Sequence, residues 1–137
     1  MKVMVCTDGS EHSEKAVRIA AQLAKARKSP LLILHIIESE ARRTELIYDS
    51  YGEQYSRAKS ILQKAETIVS EIAPGMSVET RVAVGPVTEE ICRIAEEEGV
   101  QALMIGTTGG TALKRMLLGS VADGVIRYCH CPVTVVR

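Results

Sequence analysis

The sequence predicts an α/β fold. It is a single-domain, three-layer, doubly wound architecture, with a five-stranded parallel sheet of order 3-2-1-4-5 and helices on both faces. Three observations predict it. Short apolar runs of strand length recur five times along the 137 residues. Stretches with apolar residues at three- and four-residue spacing separate them, as amphipathic helices require. Several of the short runs are apolar at every position, the signature of strands buried on both faces of a parallel sheet.

The first strand is "VMVC" at 3–6. A helix over 11–27 follows, with Ala16, Ile19, Ala20 and Leu23 on its apolar face and Asp8 and Glu11 as a capping pair at its start. "SP" at 29–30 breaks it, and "LLILHII" at 31–37 is the second strand. Residues 38–51 read as a loop or as the frayed start of the next helix. That helix is marked by Ala58, Ile61, Leu62, Ala65, Ile68, Val69 and Ile72 and is stopped by "PG" at 74–75. "SVETRVAV" at 77–84 alternates, as a half-exposed edge strand does. A helix from about 87 ends at Gly99, and "ALMIG" at 102–106 is the fourth strand. Leu118, Val121, Ala122, Val125 and Ile126 mark a last helix, and "PVTVV" at 132–136 is the fifth strand. Five strands suit the order 3-2-1-4-5 or 2-1-3-4-5. The half-polar third strand and the apolar first favour 3-2-1-4-5.

Seventeen basic residues balance seventeen acidic ones, which argues against a general binder of nucleic acid or anionic membrane. No apolar stretch approaches the roughly 20 residues of a membrane span, and the first residues turn polar too soon for a secretory leader. A cytoplasmic protein is expected, with its four cysteines as reduced thiols.

In a doubly wound sheet the ligand crevice opens at the carboxyl ends of the strands where the winding reverses. In order 3-2-1-4-5 this lies between strands 1 and 4, so "CTDG" and "IGTTGG" flank it. Gly106 and Gly109 let a loop expose its N–H groups, and Gly119-Ser120 stands where the last helix begins. A helix start offers unpaired N–H donors and a partial positive charge, a natural anion site. A phosphate ligand is one reading of these glycines; tight turns in a short α/β chain are the other. Neither a Walker A loop nor a G-x-G-x-x-G fingerprint occurs.

Gly106, Gly109 and Gly119-Ser120 reproduce G-2x-G-9x-G-S, the pattern of the ATP-binding members of the universal stress protein family. The resemblance covers the whole chain, 1–137, including "VMVCTDGSEHSEKAV", "LLILHIIE", "VAVGPVTEEICRIAEEEGV" and "CPVTVV". It implies ATP, with Mg²⁺ or Mn²⁺, held with its phosphates on Gly106, Gly109, Gly119 and Ser120. It implies the adenosine end against Asp8 and the backbone of Ile36, the ribose side at Val84-Gly85, and a backbone contact from Val121. It also implies a regulatory or sensing module of the stress response, with protein partners the sequence does not name. Many relatives carry a basic or imidazole side chain around the first two glycines, where this chain has Thr107, Thr108 and Gly110. Lys114, Arg115 or the divalent cation are the candidates to compensate.

Phosphoryl transfer needs a positioned base and charge stabilisation, and no convincing base is present. His35, near the site, reads as a structural histidine. The expected chemistry is binding with slow or no hydrolysis. "YCHCPV" at 128–133 contains metal-ligand residue types, but neighbours in an extended segment point to opposite faces, so no metal site is assigned. The apolar C-terminal strand would be an open edge, and the resemblance makes it a homodimer contact over 132–136. A phosphoacceptor receiver domain would need acidic residues at the ends of strands 1 and 3, and a flavin protein would usually stack aromatics that this chain lacks. A dimeric stress-response module that binds no nucleotide is the remaining alternative.

Overall fold

A computed structural model describes residues 1–41, 48–107 and 118–137. The elements run β1 (Val3–Cys6), α1 (Glu11–Arg27), β2 (Leu31–Glu38), α2 (Tyr48–Ile72), β3 (Val78–Gly85), α3 (Val87–Glu97), β4 (Ala102–Gly106), α4 (Ser120–Tyr128) and β5 (Val133–Val136). The five strands form one parallel sheet of order β3-β2-β1-β4-β5, the order expected from the half-polar third strand.

Alternation along each strand sorts the core into two layers. Val3, Val5, Leu31, Ile33 and Met104 face α1 and α2. Met4, Cys6, Leu32, Leu34, Leu103 and Ile105 face α3 and α4. The central strand β1 is buried along its whole length, whereas β3, at an edge, exposes Glu79 and Thr80.

Three details correct or refine the local reading. Ser10, not Asp8, caps α1; its side chain accepts the Ser13 N–H. Asp8 instead accepts the Ser10 N–H at 2.9 Å, closing an Asx turn one step earlier. α2 begins at Tyr48 and kinks at Tyr51, so the frayed start was the correct alternative for its first turns. Tyr51 and Tyr55 anchor this end on Ile37, Ala58 and Val84, an aromatic contact that an aliphatic stripe does not reveal. Leu118 precedes α4 and is exposed, and Ile126 is exposed on the helix, so neither belongs to the core face.

The four cysteines are not all free thiols. Cys92 of α3 and Cys129, the residue that closes α4, are joined as a disulfide, while Cys6 and Cys131 are free. The two partners are separated by 37 positions and meet only because α3 and α4 pack side by side.

Candidate functional site

A cleft of about 360 Å³ opens at the carboxyl ends of β1, β2 and β4, under the first turns of α3 and α4. Its floor is Cys6, Leu34, Ile36 and Ile105, and one apolar wall is Val87 and Ile91 of α3. The polar groups come from the turn after β1, from His35 and Glu38 of β2, from Thr107 after β4 and from the start of α4.

The turn after β1 is tightly wired. Gly9 takes φ +84°, a left-handed conformation suited to glycine, and its N–H donates to the Thr7 hydroxyl at 3.2 Å. The Thr7 and Ser13 hydroxyls share a hydrogen bond of 2.9 Å, and Ser13 Oγ also lies 2.9 Å from the Ser10 carbonyl. His35 Nδ1 meets the Thr7 carbonyl at 2.8 Å; since a carbonyl only accepts, Nδ1 carries the proton. Burial pushes the Asp8 carboxyl up, but hydrogen bonds from Ser10 and Ser13 outweigh it and hold the pKa below its ordinary value. Asp8 is therefore a carboxylate at neutral pH.

On the other side, β4 ends at Gly106 and the chain returns at Gly119. The Gly119 N–H donates to the Thr107 carbonyl at 2.7 Å, pinning the two ends of the intervening segment together. Gly119 caps α4 without a side-chain bond. Its own N–H being engaged, helix geometry leaves the N–H groups of Ser120, Val121 and Ala122 without an intrahelical acceptor. All three residues line the cleft. Gly106 has a further reason to be glycine. A Cβ there would lie 3.0 Å from the backbone of His12 and Ser13, where the first turn of α1 crosses the end of β4.

The structure thus gathers Asp8, Ile36, Gly106, Gly119, Ser120 and Val121 around one cleft. Val84 and Gly85 are not among its lining residues. The Val84 side chain is buried on the opposite face, against Ile37 and Ala58, and the Gly85 carbonyl accepts the Ser39 N–H. Gly109, Thr108, Gly110, Lys114 and Arg115 lie outside the described residues. Sequence reasoning missed Thr7, Ser10, Ser13 and Ala122. The string "TDGS" after an apolar strand was the available signal for the first two.

The cleft is electrically polar. Asp8 and Glu38 stand on the β1–β2 side and the α4 N-terminus on the β4 side. No Lys or Arg is among its described lining residues. Among the described residues, no group of three His, Cys, Asp or Glu is placed to hold a metal ion, and no helix is long and apolar enough to cross a membrane.

The sequence pattern that defines the universal stress protein family matches residues 1–137. The chain belongs to that family. A universal stress protein of Bacillus subtilis (strain 168) is 33% identical over 147 aligned positions, covering 99% of this chain and 98% of that one. One from Methanocaldococcus jannaschii is 32% identical over 143, covering 99% and 81%. Among solved structures, a universal stress protein in complex with cAMP superposes with a TM-score of 0.81 at 27% identity, covering 100% of this chain and 97% of that one. The universal stress protein from Archaeoglobus fulgidus in complex with dAMP gives 0.77 at 26%, covering 100% and 98%. The sheet order of this family member is the 3-2-1-4-5 that its strand pattern anticipates.

Proposed function

We propose that this universal stress protein binds ATP, with Mg²⁺ or Mn²⁺, and acts as a cytoplasmic regulatory or sensing module that hydrolyses it slowly or not at all. The observation that carries the reading is the opposition of an apolar, carboxylate-edged pocket and an open helix N-terminus across one cleft. An adenine ring suits the apolar side by Ile36, Val87 and Ile91, and Asp8 is free to accept from a ribose hydroxyl. Phosphates suit the N–H groups of Ser120, Val121 and Ala122. The cleft volume falls within the range of small-molecule sites, about 300–1,000 Å³. The divalent cation would travel on the phosphates and not in a carboxylate cage. Relatives solved with cAMP and dAMP support an adenine nucleotide as the ligand class.

Slow hydrolysis follows from where the candidate bases stand. Asp8 is assigned to the ribose and His35 is held by the Thr7 carbonyl, both on the β1–β2 side, whereas the phosphates are assigned to the start of α4 on the β4 side. Turnover is expected well below the 1 s⁻¹ or so at the low end of ordinary enzymes.

The β5 edge supports a homodimer. The Pro132 and Val136 carbonyls accept from Leu103 and Thr107, so the backbone groups of Val133 and Val135 point away from the sheet and are available to a second copy.

Calorimetric titration with Mg·ATP, AMP and GTP tests the reading on the wild type and on Gly119→Val. Micromolar or tighter ATP binding, lost in the variant, is the expected result. Failure of the folded wild type to bind any of the three would refute it. A module that works through protein partners alone would then take its place, the reading favoured by a cleft wall without described Lys or Arg.

A further inference from the structure

We propose that Cys92 and Cys129 are a hydroperoxide-sensitive thiol pair, a redox modification site that locks the α3–α4 wall of the cleft.

The first support is placement. Their Cα atoms are 4.9 Å apart, inside the roughly 4.4–6.8 Å span of bridged cysteines, so backbone positions already suit the bond. Both residues are half-buried, at the surface seam between the two helices, and within reach of a small oxidant. The other two cysteines differ. Cys6 is buried in the cleft floor, and burial pushes its thiol up, which leaves it a poor nucleophile. Burial also raises the Cys131 thiol.

The second support is what the bond joins. α3 and α4 already meet at one tight point near their cleft ends: a Cβ on Gly124 would lie 2.8 Å from the Thr88 side chain. One turn beyond Thr88 and five residues beyond Gly124, the Cys92–Cys129 link fixes the same helices a second time. Two fixed points along a helix pair restrict sliding and splaying that one point permits. The N-terminal turns of both helices are cleft wall, with Val87 and Ile91 on one and Ser120, Val121 and Ala122 on the other. The bond therefore sits behind the wall, outside the ligand's path, and acts on its freedom of movement.

The chemistry balances with a hydroperoxide as oxidant. One thiolate attacks the O–O bond, giving a sulfenic acid and releasing the alcohol, or water from hydrogen peroxide. The second sulfur displaces hydroxide from the sulfenic acid and forms S–S, its proton leaving with that hydroxide as water. The two cysteines lose two electrons and the peroxide gains them. A dithiol reverses the bond and is itself oxidised to a disulfide. An ordered wall has already lost the freedom that binding would otherwise remove, so the bridged form should hold its ligand more tightly. That last consequence rests on the nucleotide reading above; the modification site does not.

The experiment uses the full chain, reduced with dithiothreitol, desalted, and treated with one equivalent of hydrogen peroxide. Peptide mapping after alkylation should find Cys92 joined to Cys129, with Cys6 and Cys131 alkylated. Amide exchange at residues 123–129 should be about tenfold slower in the bridged than in the reduced protein. Peroxide-treated Cys92→Ser and Cys129→Ser should keep the fast exchange of the reduced form. A bridge through Cys6 or Cys131, four thiols surviving peroxide, over-oxidation to sulfinic acid, or equal exchange in both states would each overturn the proposal. Calorimetry with Mg·ATP on both states should show several-fold tighter binding when bridged. Equal affinity in the two states would overturn the coupling to the cleft. No nucleotide binding in either state, with the bridge mapped and exchange slowed, would refute the nucleotide reading and leave the thiol pair standing.

Discussion

Gly124→Ala measures how closely α3 and α4 are seated behind the cleft. In an exposed helix interior the change would stabilise, because alanine outranks glycine by about 0.8–1.0 kcal/mol. Here the new methyl would lie 2.8 Å from both Cγ2 and Oγ1 of Thr88 and 3.4 Å from its Cβ. Threonine is β-branched and turns one bulky atom in as it turns the other out. Relief must come from helix displacement, and overpacking of this kind costs about 1–3 kcal/mol. The net effect in the wild type is a loss of up to about 2 kcal/mol once the helix gain is subtracted. Thr88→Ala removes both offending atoms and leaves only the 3.4 Å contact, an ordinary van der Waals distance. In that background Gly124→Ala should stabilise by nearly the full helix gain. The sign reverses, and the double-mutant cycle gives a coupling of about 1–3 kcal/mol. Urea unfolding of the four proteins under reducing conditions reads it directly. At about 4 °C per kcal/mol for a chain of this size, thermal melts show it too. A coupling under about 0.5 kcal/mol, with Gly124→Ala stabilising the wild type, would show that the helices do not approach as described.

Gly106→Ala should destabilise the ligand-free protein by about 1–3 kcal/mol, because the methyl meets α1 backbone that cannot rotate away; an unchanged melting temperature would refute that contact. The Asp8 carboxyl titrates below its ordinary value in the folded protein. Its contribution to stability is therefore present above the unfolded pKa and is lost as pH falls through the lower, folded pKa. Between pH 5 and 2, Asp8→Asn should lose less stability than wild type, measured as denaturant midpoint at each pH, and parallel acid limbs would contradict the Ser10 and Ser13 hydrogen bonds. Val135→Pro removes an outward N–H from β5 without touching the groups that face β4, so light scattering at micromolar concentration should find a folded monomer. A persistent dimer of that variant would place the interface elsewhere.

Much of the fold was legible because it depends on local patterns. Buried strands, helix periodicity, the stop at Gly99 and the start at Gly119 each need only neighbouring residues, and the sheet order needed one further clue, the half-polar third strand. The meeting of Cys6, Thr7 and Asp8 with Ile105, Gly106 and Thr107 at one crevice followed from topology alone. Side-chain direction was harder. Val84 and Ile36 both stand near strand ends, yet alternation sends one into the α2 layer and the other into the cleft. The cap of α1 went to Ser10, a choice between adjacent polar residues that backbone geometry makes and composition does not.

Chain periodicity and capping residues were enough to specify the layers and the place of the crevice, since they act over a turn or a strand. Only tertiary packing decided that Gly106 must clear the α1 backbone, that His35 holds the Thr7 carbonyl, and that Cys92 meets Cys129. Those contacts join residues from 28 to more than 90 positions apart. Each depends on the rotation and offset of whole elements, which local sequence leaves open and close packing of the core fixes.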